Sequence, residues 1–222
     1  AASVVWHAPA EGGIPRYMMV FQDQVPESIG PVRSARYYYI AWAAEWKALY
    51  AHVGGSPQAM ETLRQKGNGQ LVYNADEFRW ARYFHRISER SSPHNMYTEG
   101  KSLRQLANRV GAEDGPMEPV WKFADDAPLA ERPKGGTIVV KYPANTIKYT
   151  YDRNSNTYSR GVTREAKQID AATGEELRLR ERVQRVEERF RLEHAAIADF
   201  VAGQLAAAGA AGLHRIQQQQ AV

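Results

Sequence analysis

The sequence contains no cysteine among its 222 residues. This absence excludes disulfide bonds, thiolate catalysis and cysteine-ligated zinc sites, and it says little about the compartment that holds the protein. Long hydrophobic runs are also missing, because no stretch approaches the ~20 apolar residues that a membrane-spanning helix needs. The formal net charge is only +4, and the basic residues are spread along the chain. Nucleic acid is therefore not predicted as a partner, whereas an anionic partner stays open.

The sequence also lacks an initiator methionine and a signal-peptide pattern. Its first six residues have the pattern of the interior of a strand, so we expect a chain that was processed or cut from a longer protein. What is present is enough apolar material for a sizeable hydrophobic core, since 43% of the residues are hydrophobic and 10% are aromatic. The composition predicts a globular protein of one or two domains.

Short apolar runs alternate with helical patterns through most of the chain, which is typical of an α/β or α+β domain. Apolar runs bounded by turn residues predict strands at residues 4–6, 17–21, 49–53, 137–142, 146–151 and 157–160. Capping residues followed by apolar spacings of three and four predict helices that begin near Arg36, Pro57, Asp76 and Glu99. We therefore predict a mixed sheet with flanking helices, a smaller β-rich segment and a C-terminal helix.

Composition divides the chain into three predicted parts. Residues 1–125 form an α/β core domain and residues 126–177 form a β-hairpin-rich subdomain, because a loop rich in Pro, Asp and Glu occupies residues 111–136. Residues 178–222 hold few aromatic side chains, and residues 181–211 have a helical composition with alternating charges. A divergent helical tail is predicted for this last part.

Two arginines and a serine, Arg33, Ser34 and Arg36, stand just before the predicted aromatic helix. Free backbone N–H groups at a helix N-terminus attract phosphate or carboxylate groups, and guanidinium groups add bidentate donors. These residues are therefore candidates for an anion site. The alternative is that Ser34 only caps the helix while the arginines pair with Glu11, with Glu45 or with solvent.

A second helix start repeats this arrangement, with His52 at the end of a predicted strand, then Gly54 and Gly55, and then Ser56. The glycines allow a ligand to approach the backbone closely. An ordinary glycine turn with a capping Ser56 and a hydrogen-bonded His52 is the structural alternative. Ser56 also lacks the Gly-x-Ser-x-Gly pattern of a hydrolase nucleophile.

A third candidate is the polar loop at residues 90–95, which carries Arg90, His94 and Asn95 and no apolar residue. Loops of this composition often hold functional sites, although ordinary turns use the same residues. His85 and His94 do not have the i, i+4 spacing of helical zinc sites. We therefore predict neither a bound metal nor a cofactor here.

Glu11 supplies the one carboxylate close to these groups in the order of the chain. This position suits it to orient Arg33 or to act as a base. The alternative is a surface ion pair between Glu11 and Arg16 across a hairpin, which would contribute little to stability.

Taken together, four motifs resemble, in order and spacing, the YerB-like family of bacterial envelope lipoproteins. They are Glu-Gly-Gly at 11–13, Gly-Pro-Val-Arg-Ser-Ala-Arg at 30–36, His-Val-Gly-Gly-Ser-Pro at 52–57 and Arg-x-x-Pro-His-Asn at 90–95. The match covers roughly residues 1–160. The resemblance implies a secreted chain anchored by a lipidated cysteine upstream, and hence an extracytoplasmic place on the cell envelope. Two features depart from the family pattern, since His7 stands where glutamate is usual and a segment expected before Ala1 is missing.

Three functions follow as hypotheses, and whether the chain is an enzyme stays open. The first is an extracytoplasmic lipoprotein domain that binds an anionic envelope ligand or an envelope protein, touching the membrane only through a lipid anchor outside this chain. The second, by analogy with LytR-type phosphotransferases, is a phosphoryl- or glycosyl-transfer enzyme of envelope polymers, the one case that involves magnesium. The third is a structural subunit of an envelope assembly that docks through residues after Gly161. The predicted ligand-binding residues are Glu11, Arg33, Ser34, Arg36, His52, Ser56, Arg90, His94 and Asn95.

Overall fold

The computed structural model describes residues 2–22, 24–112, 122–123, 125–163, 167–171, 173–180 and 183–184. The chain divides into two compact units, the first made of Ala1–Glu118 and Phe123–Val183 and the second of Pro119–Lys122 and Gln184–Val222. The elements described below belong to the first unit, except that residues 122 and 184 fall in the second. The predicted domain boundaries near residues 125 and 177 stay predictions.

An antiparallel hairpin opens the fold, with β1 (Val4–Pro9) paired to β2 (Pro15–Val20). Side chains alternate between the two faces of the pair, and the inward face contributes Ala8 and Met18 to the first hydrophobic core. The outward face is more than a third exposed at Val5, Tyr17 and Met19. The apolar runs at residues 4–6 and 17–21 are typical of strands that are buried on both faces, and this interpretation is wrong for the outward face, which other elements cover only in part.

The first core forms where helix α1 (Tyr37–Ala44) packs against the hairpin. Tyr39, Ile40 and Ala43 are buried along one side of the helix. Trp42 stacks on Trp6 of β1 with the ring centroids 5.0 Å apart. The predicted aromatic stripe of α1 is thus part of the core, which explains the apolar spacing in this segment.

A strand, helix and strand unit follows. Strand β3 (Leu49–His52) leads through α2 (Pro57–Lys66) to β4 (Tyr73–Asp76), which pairs with β3 in parallel. The register sets His52 opposite Asp76 at the carboxyl ends of the two strands. Sequence patterns did not predict β4, because this strand is short and half polar.

The second core lies around α4 (Gly100–Val110). Helix α3 (Glu77–Trp80) and a 3₁₀ turn lead into an antiparallel pair, β5 (Phe84–Arg86) and β6 (Met96–Thr98). The buried residues of this core are Ala75, Tyr83, Phe84, Met96 and Leu106. The loop at residues 87–95, which includes the polar motif, connects β5 to β6.

After β7 (Lys122–Phe123), an antiparallel sheet completes the described chain. Its strands are β8 (Thr137–Lys141), β9 (Thr146–Asp152), β10 (Thr157–Val162) and β11 (Arg178–Leu179), and they lie in the order β11, β10, β9, β8. Another short strand, β12 (Val183–Gln184), comes after β11 in the chain and is not part of this sheet. The predicted strands of this region are confirmed.

The strands β11 and β12 correct one part of the predicted helical tail. Residues 178–179 and 183–184 are extended rather than helical. Leu179 pairs with Tyr158 in a backbone ladder, and such pairing overrides local helix propensity. The other residues of the predicted tail that lie outside the described part of the chain are 181–182 and 185–222.

The predicted α+β class is confirmed, and its strands are divided among several small sheets. Within the described ranges, no helix combines the length and the apolar character needed to cross a membrane.

The buried face of α1 gives a direct test of the first core. Ile40 is 1% exposed, so Ile40→Ala should lower the free energy of unfolding by about 2–5 kcal/mol, because it removes buried contacts and leaves a cavity. Val139→Ala is the matched control, since Val139 is 51% exposed and should change stability by no more than about 0.5 kcal/mol. Urea denaturation measures both, and equal losses would contradict this placement of the core.

Candidate functional site

One extended segment, residues 29–36, brings the predicted motifs together. On one side Val32 N donates to the Met96 carbonyl oxygen at 2.8 Å, directly after the polar loop. On the other side Ala35 N donates to the carbonyl oxygen of Gly54 at 2.8 Å. Backbone hydrogen bonds therefore hold the arginine motif between the glycine turn and the end of the polar loop, although these motifs are far apart in the sequence.

Glu11 joins two arginines at the tip of the β1–β2 hairpin. Arg36 Nε donates to Glu11 Oε1 at 2.5 Å, and Arg36 Nη2 donates to Oε2. Arg16 Nη2 lies 3.8 Å from Glu11 Oε2, and Arg16 Nη1 donates to the Ser34 carbonyl oxygen at 3.2 Å. The ion-pair alternatives for Glu11 are confirmed. Its carboxylate binds Arg36 instead of orienting Arg33.

Arg16, Arg33 and Arg36 form what we call the arginine cluster. Burial lowers the pKa of Arg16, and the positive charges of Arg36 and Arg33 lower it further, while Glu11 raises it. The guanidinium group of Arg16 is therefore close enough to those of Arg36 and Arg33 to be repelled by both. Among the described residues, Glu11 is the only carboxylate in a salt bridge with any of them, so positive charge is in excess.

The carboxylate of Glu11 is held strongly in its ionised form. The hydrogen bonds from Arg36 are the main reason that the pKa of Glu11 falls from 4.5 to about 2. Burial acts in the opposite direction, and the charges of Arg36 and Arg16 add smaller lowering effects. A carboxylate with so low a pKa is a weak base near neutral pH.

Arg33 connects the cluster to the polar loop, because its Nη1 donates to the Pro93 carbonyl oxygen. Arg90 and His94 of the same loop have exposed side chains. Asn95 is half-buried and has a structural role, since its Oδ1 accepts from Arg86 Nη1 at 2.7 Å and its Nδ2 donates to a backbone carbonyl. Of the three predicted loop residues, Arg90 and His94 are thus the ones open to a ligand.

His52 lies beneath the site rather than in it. Its side chain is 1% exposed, with Nδ1 located 2.7 Å from the Gly54 carbonyl oxygen and Nε2 located 2.8 Å from Asn74 Oδ1. Both ring nitrogens are therefore engaged inside the protein. His52 therefore fits the structural alternative, a hydrogen-bonded histidine at the end of a strand. Its burial also separates the imidazole from any ligand at the arginine cluster.

The two predicted capping serines differ. Ser56 accepts from Ala59 N at 3.4 Å at the start of α2, as predicted. Ser34 does not cap α1, because the residue at the N-cap position is Arg36, which has no side-chain capping bond. The reason is that Ala35 still makes a bridge with Gly55, so the backbone at Ser34 precedes the helix. Ser34 instead contributes its carbonyl oxygen to Arg16.

Two residues of the site were missed as candidates. Arg16 lies on the inward face of β2, opposite Ala8 in the strand register, and this alternation was the signal that a cation is partly buried there. Asp76 accepts from Gly54 N at 3.0 Å and lies 3.7 Å from His52 Nδ1. No sequence signal identified Asp76, because its strand β4 was not predicted.

The residues described do not form a metal site. No group of three or more His, Asp or Glu side chains among them is arranged to hold a metal ion. Magnesium prefers several oxygen ligands, whereas the arginine cluster offers the single carboxylate of Glu11 among guanidinium groups. These residues therefore do not fit the magnesium of the transferase analogy.

Two cavities lie beside α2 and α3, and none of the nine predicted residues lines either of them. The smaller, of about 320 Å³, is bordered by Arg79, Trp80, Ala81, Arg82 and Arg109. The guanidinium groups of Arg79 and Arg109 lie 5.3 Å and 5.6 Å from the centre of the Trp80 ring. Cation–π stacking explains these arginines as part of the packing around the second core.

Comparison with known proteins identifies the family. Residues 1–113, about half of the chain, match the model described as "Protein of unknown function (DUF3048) N-terminal domain". The chain belongs to the DUF3048 family. This match covers the hairpin, the arginine cluster and both hydrophobic cores, so the candidate site lies within the family domain.

The relatives of this DUF3048 protein agree with the resemblance read from the four motifs. The chain is 33% identical over 168 residues to "Putative lipoprotein YerB" of Bacillus subtilis (strain 168), across 72% of this chain and 48% of the relative. It therefore spans about half the length of that protein. The crystal structure of YerB from Bacillus subtilis matches with a TM-score of 0.67 and 25% identity, covering 80% of this chain and 59% of the other. The predicted YerB-like membership is confirmed.

The serines give a test of the two helix starts. Ser56→Ala should lower the free energy of unfolding by about 0.5–2 kcal/mol, because it removes a side-chain cap from α2. Ser34→Ala should have a smaller effect, since the Ser34 side chain caps no helix. Urea denaturation of both variants measures the difference, and a larger loss for Ser34→Ala would contradict the assignment.

Glu11 makes stability depend on pH in a defined range. Its pKa is 4.5 ordinarily and about 2 in the folded chain, so its contribution to stability is complete above about pH 4.5 and is lost as the pH falls through about 2. The side chain is 64% exposed, so solvent screening keeps this contribution small. Glu11→Gln should be less stable than the native chain at about pH 6, with the difference disappearing at about pH 2. A difference that is the same at both pH values in urea denaturation would refute this assignment.

Proposed function

We propose that this DUF3048 domain binds an anionic ligand, one that carries phosphate or carboxylate groups, at the arginine cluster. The observation that carries the proposal is that Arg16 lies near both Arg33 and Arg36 while, among the described residues, Glu11 is the one carboxylate that pairs with any of them. Arg36 is engaged by Glu11 and Arg16 is shared between Glu11 and a backbone carbonyl. Within the described part of the chain, Arg33 donates only to the Pro93 carbonyl oxygen, which leaves most of its donors available to an oxyanion.

The backbone supports this interpretation. Residues 29–36 are hydrogen-bonded on both sides, so the backbone that carries Arg33 and Arg36 is held in place and loses little freedom when a ligand binds. Arg90 and His94 are exposed on the polar loop that Arg33 contacts. Both side chains are therefore placed to extend the positive surface toward a larger ligand.

A binding role is better supported than a transfer reaction. The residue expected to act as a base, Glu11, has a pKa of about 2 and is bound to Arg36. His52 is buried, and Ser56 caps a helix. The groups that a transfer enzyme would use are thus occupied by structural contacts, whereas the cations are not fully paired.

The location follows from the relative. YerB of Bacillus subtilis is named as a lipoprotein, and we extend this to an extracytoplasmic place on the cell envelope for the present chain, with a lipid anchor outside it. Anionic groups on envelope glycans, lipids or proteins are the corresponding ligands. Fractionation of cells that express the full-length protein tests this part separately from binding.

Calorimetric titration tests the site itself. Inorganic phosphate, glycerol phosphate and galacturonate serve as probes at low ionic strength, and Arg33→Ala should weaken binding by about 10- to 100-fold, because it removes charge-assisted hydrogen bonds. Lys134→Ala is the matched control, since it removes one positive charge from an exposed loop residue and should leave binding unchanged. Equal affinities of the native chain, Arg33→Ala and Lys134→Ala would refute the site.

Glu11→Gln separates binding from catalysis. If the cluster is an anion site, this variant should bind the same probes more tightly than the native chain, because it removes the carboxylate that competes for Arg36 and Arg16. If Glu11 is a catalytic base, the variant should instead lose turnover of a phosphorylated substrate. Weaker binding by Glu11→Gln, with the fold intact, would contradict the proposal.

A further inference from the structure

A second site of positive charge is Arg160 of β10, which is buried without a counter-charge among the described residues. Its exposure is 3%, and its Nε and Nη1 atoms have no hydrogen-bond partner in the described part of the chain. None of the salt bridges between described residues includes it. Buried arginines in proteins are normally paired, because a guanidinium group removed from water loses strong hydration.

The surroundings of Arg160 are aromatic. Its guanidinium group lies 5.0 Å from the centre of the Tyr17 ring and 5.9 Å from that of Tyr149. His7 stacks on Tyr17 with the ring centroids 4.7 Å apart, and Tyr142 meets His7 edge-on at 4.9 Å. We call Tyr17, Tyr142 and Tyr149 the tyrosine cage. It lies between the outward face of the β1–β2 hairpin and the sheet that contains β10.

The neighbours of Arg160 do not neutralise it. Stacking on an aromatic ring engages the face of a guanidinium group and leaves its N–H donors without acceptors. His7 adds another unpaired group, since its Nε2 is buried and has no hydrogen-bond partner among the residues that the structure describes. Burial and then the charge of Arg160 lower the pKa of His7 to about 4, so His7 is neutral near pH 7. The site therefore combines one cation with unpaired buried nitrogens.

Unpaired buried polar groups lower the stability of the free protein, and groups that lower stability in this way are often found at binding sites. We propose that Arg160 and His7, within the tyrosine cage, bind a single oxyanion, the carboxylate or phosphate group of a small ligand, which supplies the missing counter-charge. Phenol and imidazole groups around the guanidinium add hydrogen-bond donors for the same oxyanion.

This site is independent of the arginine cluster. Arg16 and Tyr17 are successive residues of β2, and successive side chains of a strand point to opposite faces. The cluster lies at the inward face beside α1, whereas the tyrosine cage lies at the outward face. Failure of one proposal therefore does not decide the other.

Nuclear magnetic resonance of the His7 ring, assigned with His7→Phe, reports on this site alone. Addition of acetate or of inorganic phosphate to the native chain should shift the His7 signals in a saturable manner, and the two anions distinguish carboxylate from phosphate. Arg33→Ala should keep the response, whereas Arg160→Met should weaken the apparent affinity at least about tenfold. The absence of a saturable shift in the native chain would overturn the proposal, as would a response that survives Arg160→Met.

Thermal unfolding supplies a second measurement. The proposal predicts that substitution of Arg160 raises the midpoint of unfolding, whereas a purely structural role of Arg160 predicts that it lowers the midpoint. In a buffer poor in oxyanions, Arg160→Met should raise the midpoint of unfolding, because it replaces an uncompensated buried charge by an apolar chain of similar length. Lys148→Met, an exposed residue of the neighbouring strand, is the control and should leave the midpoint and the His7 response unchanged. Arg160→Gln serves if the methionine variant does not fold. A midpoint lowered by both Arg160 variants, with or without added anion, would show that water satisfies the guanidinium group and would refute the proposal.

Discussion

The hydrogen bonds around Gly54 hold the candidate site together. The Gly54 carbonyl oxygen accepts from Ala35 N at 2.8 Å and lies 2.7 Å from His52 Nδ1, while Gly54 N donates to Asp76 Oδ1 at 3.0 Å. Gly54 has a φ of +58°, a conformation that favours glycine. A Cβ atom there would also come within 3.0 Å of the Phe78 ring. This single turn therefore links the parallel strands to the segment that bears the arginines.

The same turn explains why buried polar residues are found below the site. His52 and Asp76 are buried, and each uses its polar atoms to hold the turn or the start of α3. Buried polar groups are tolerated when their hydrogen bonds are made inside the protein. These internal hydrogen bonds hold the backbone beside Arg33 and Arg36 in place, and a binding surface that is held in place before the ligand arrives loses less freedom on binding.

Positive charge is in excess on both faces of the β1–β2 hairpin. At the inward face, three arginines are offset by Glu11, and at the outward face Arg160 has aromatic neighbours and no carboxylate among the described residues. Uncompensated charge lowers stability in both places, more so at Arg160 because it is buried. The formal net charge of +4 does not reveal this distribution, because the charges of acidic and basic residues elsewhere in the chain cancel one another.

Features set by a few neighbouring residues were predictable. The cap of α2 depends on Ser56 and Pro57, which are adjacent in the chain, and the strands of the antiparallel sheet follow from short apolar runs and one turn. Ser34 was assigned wrongly as a cap, because the first residue of α1 depends on how far the bridge between Ala35 and Gly55 extends. The short strand β11 was missed for a similar reason, since only its partner β10 makes it extended.

The amino-acid sequence alone was sufficient for the family, the α+β class and the set of motifs that surrounds the site. Which of those side chains face a ligand depends on tertiary structure. The fold buries His52, pairs Glu11 with Arg36, leaves Arg33 partly unpaired and encloses Arg160. The physical reason is that motifs are local, whereas burial and charge pairing are set by residues that meet from distant parts of the chain.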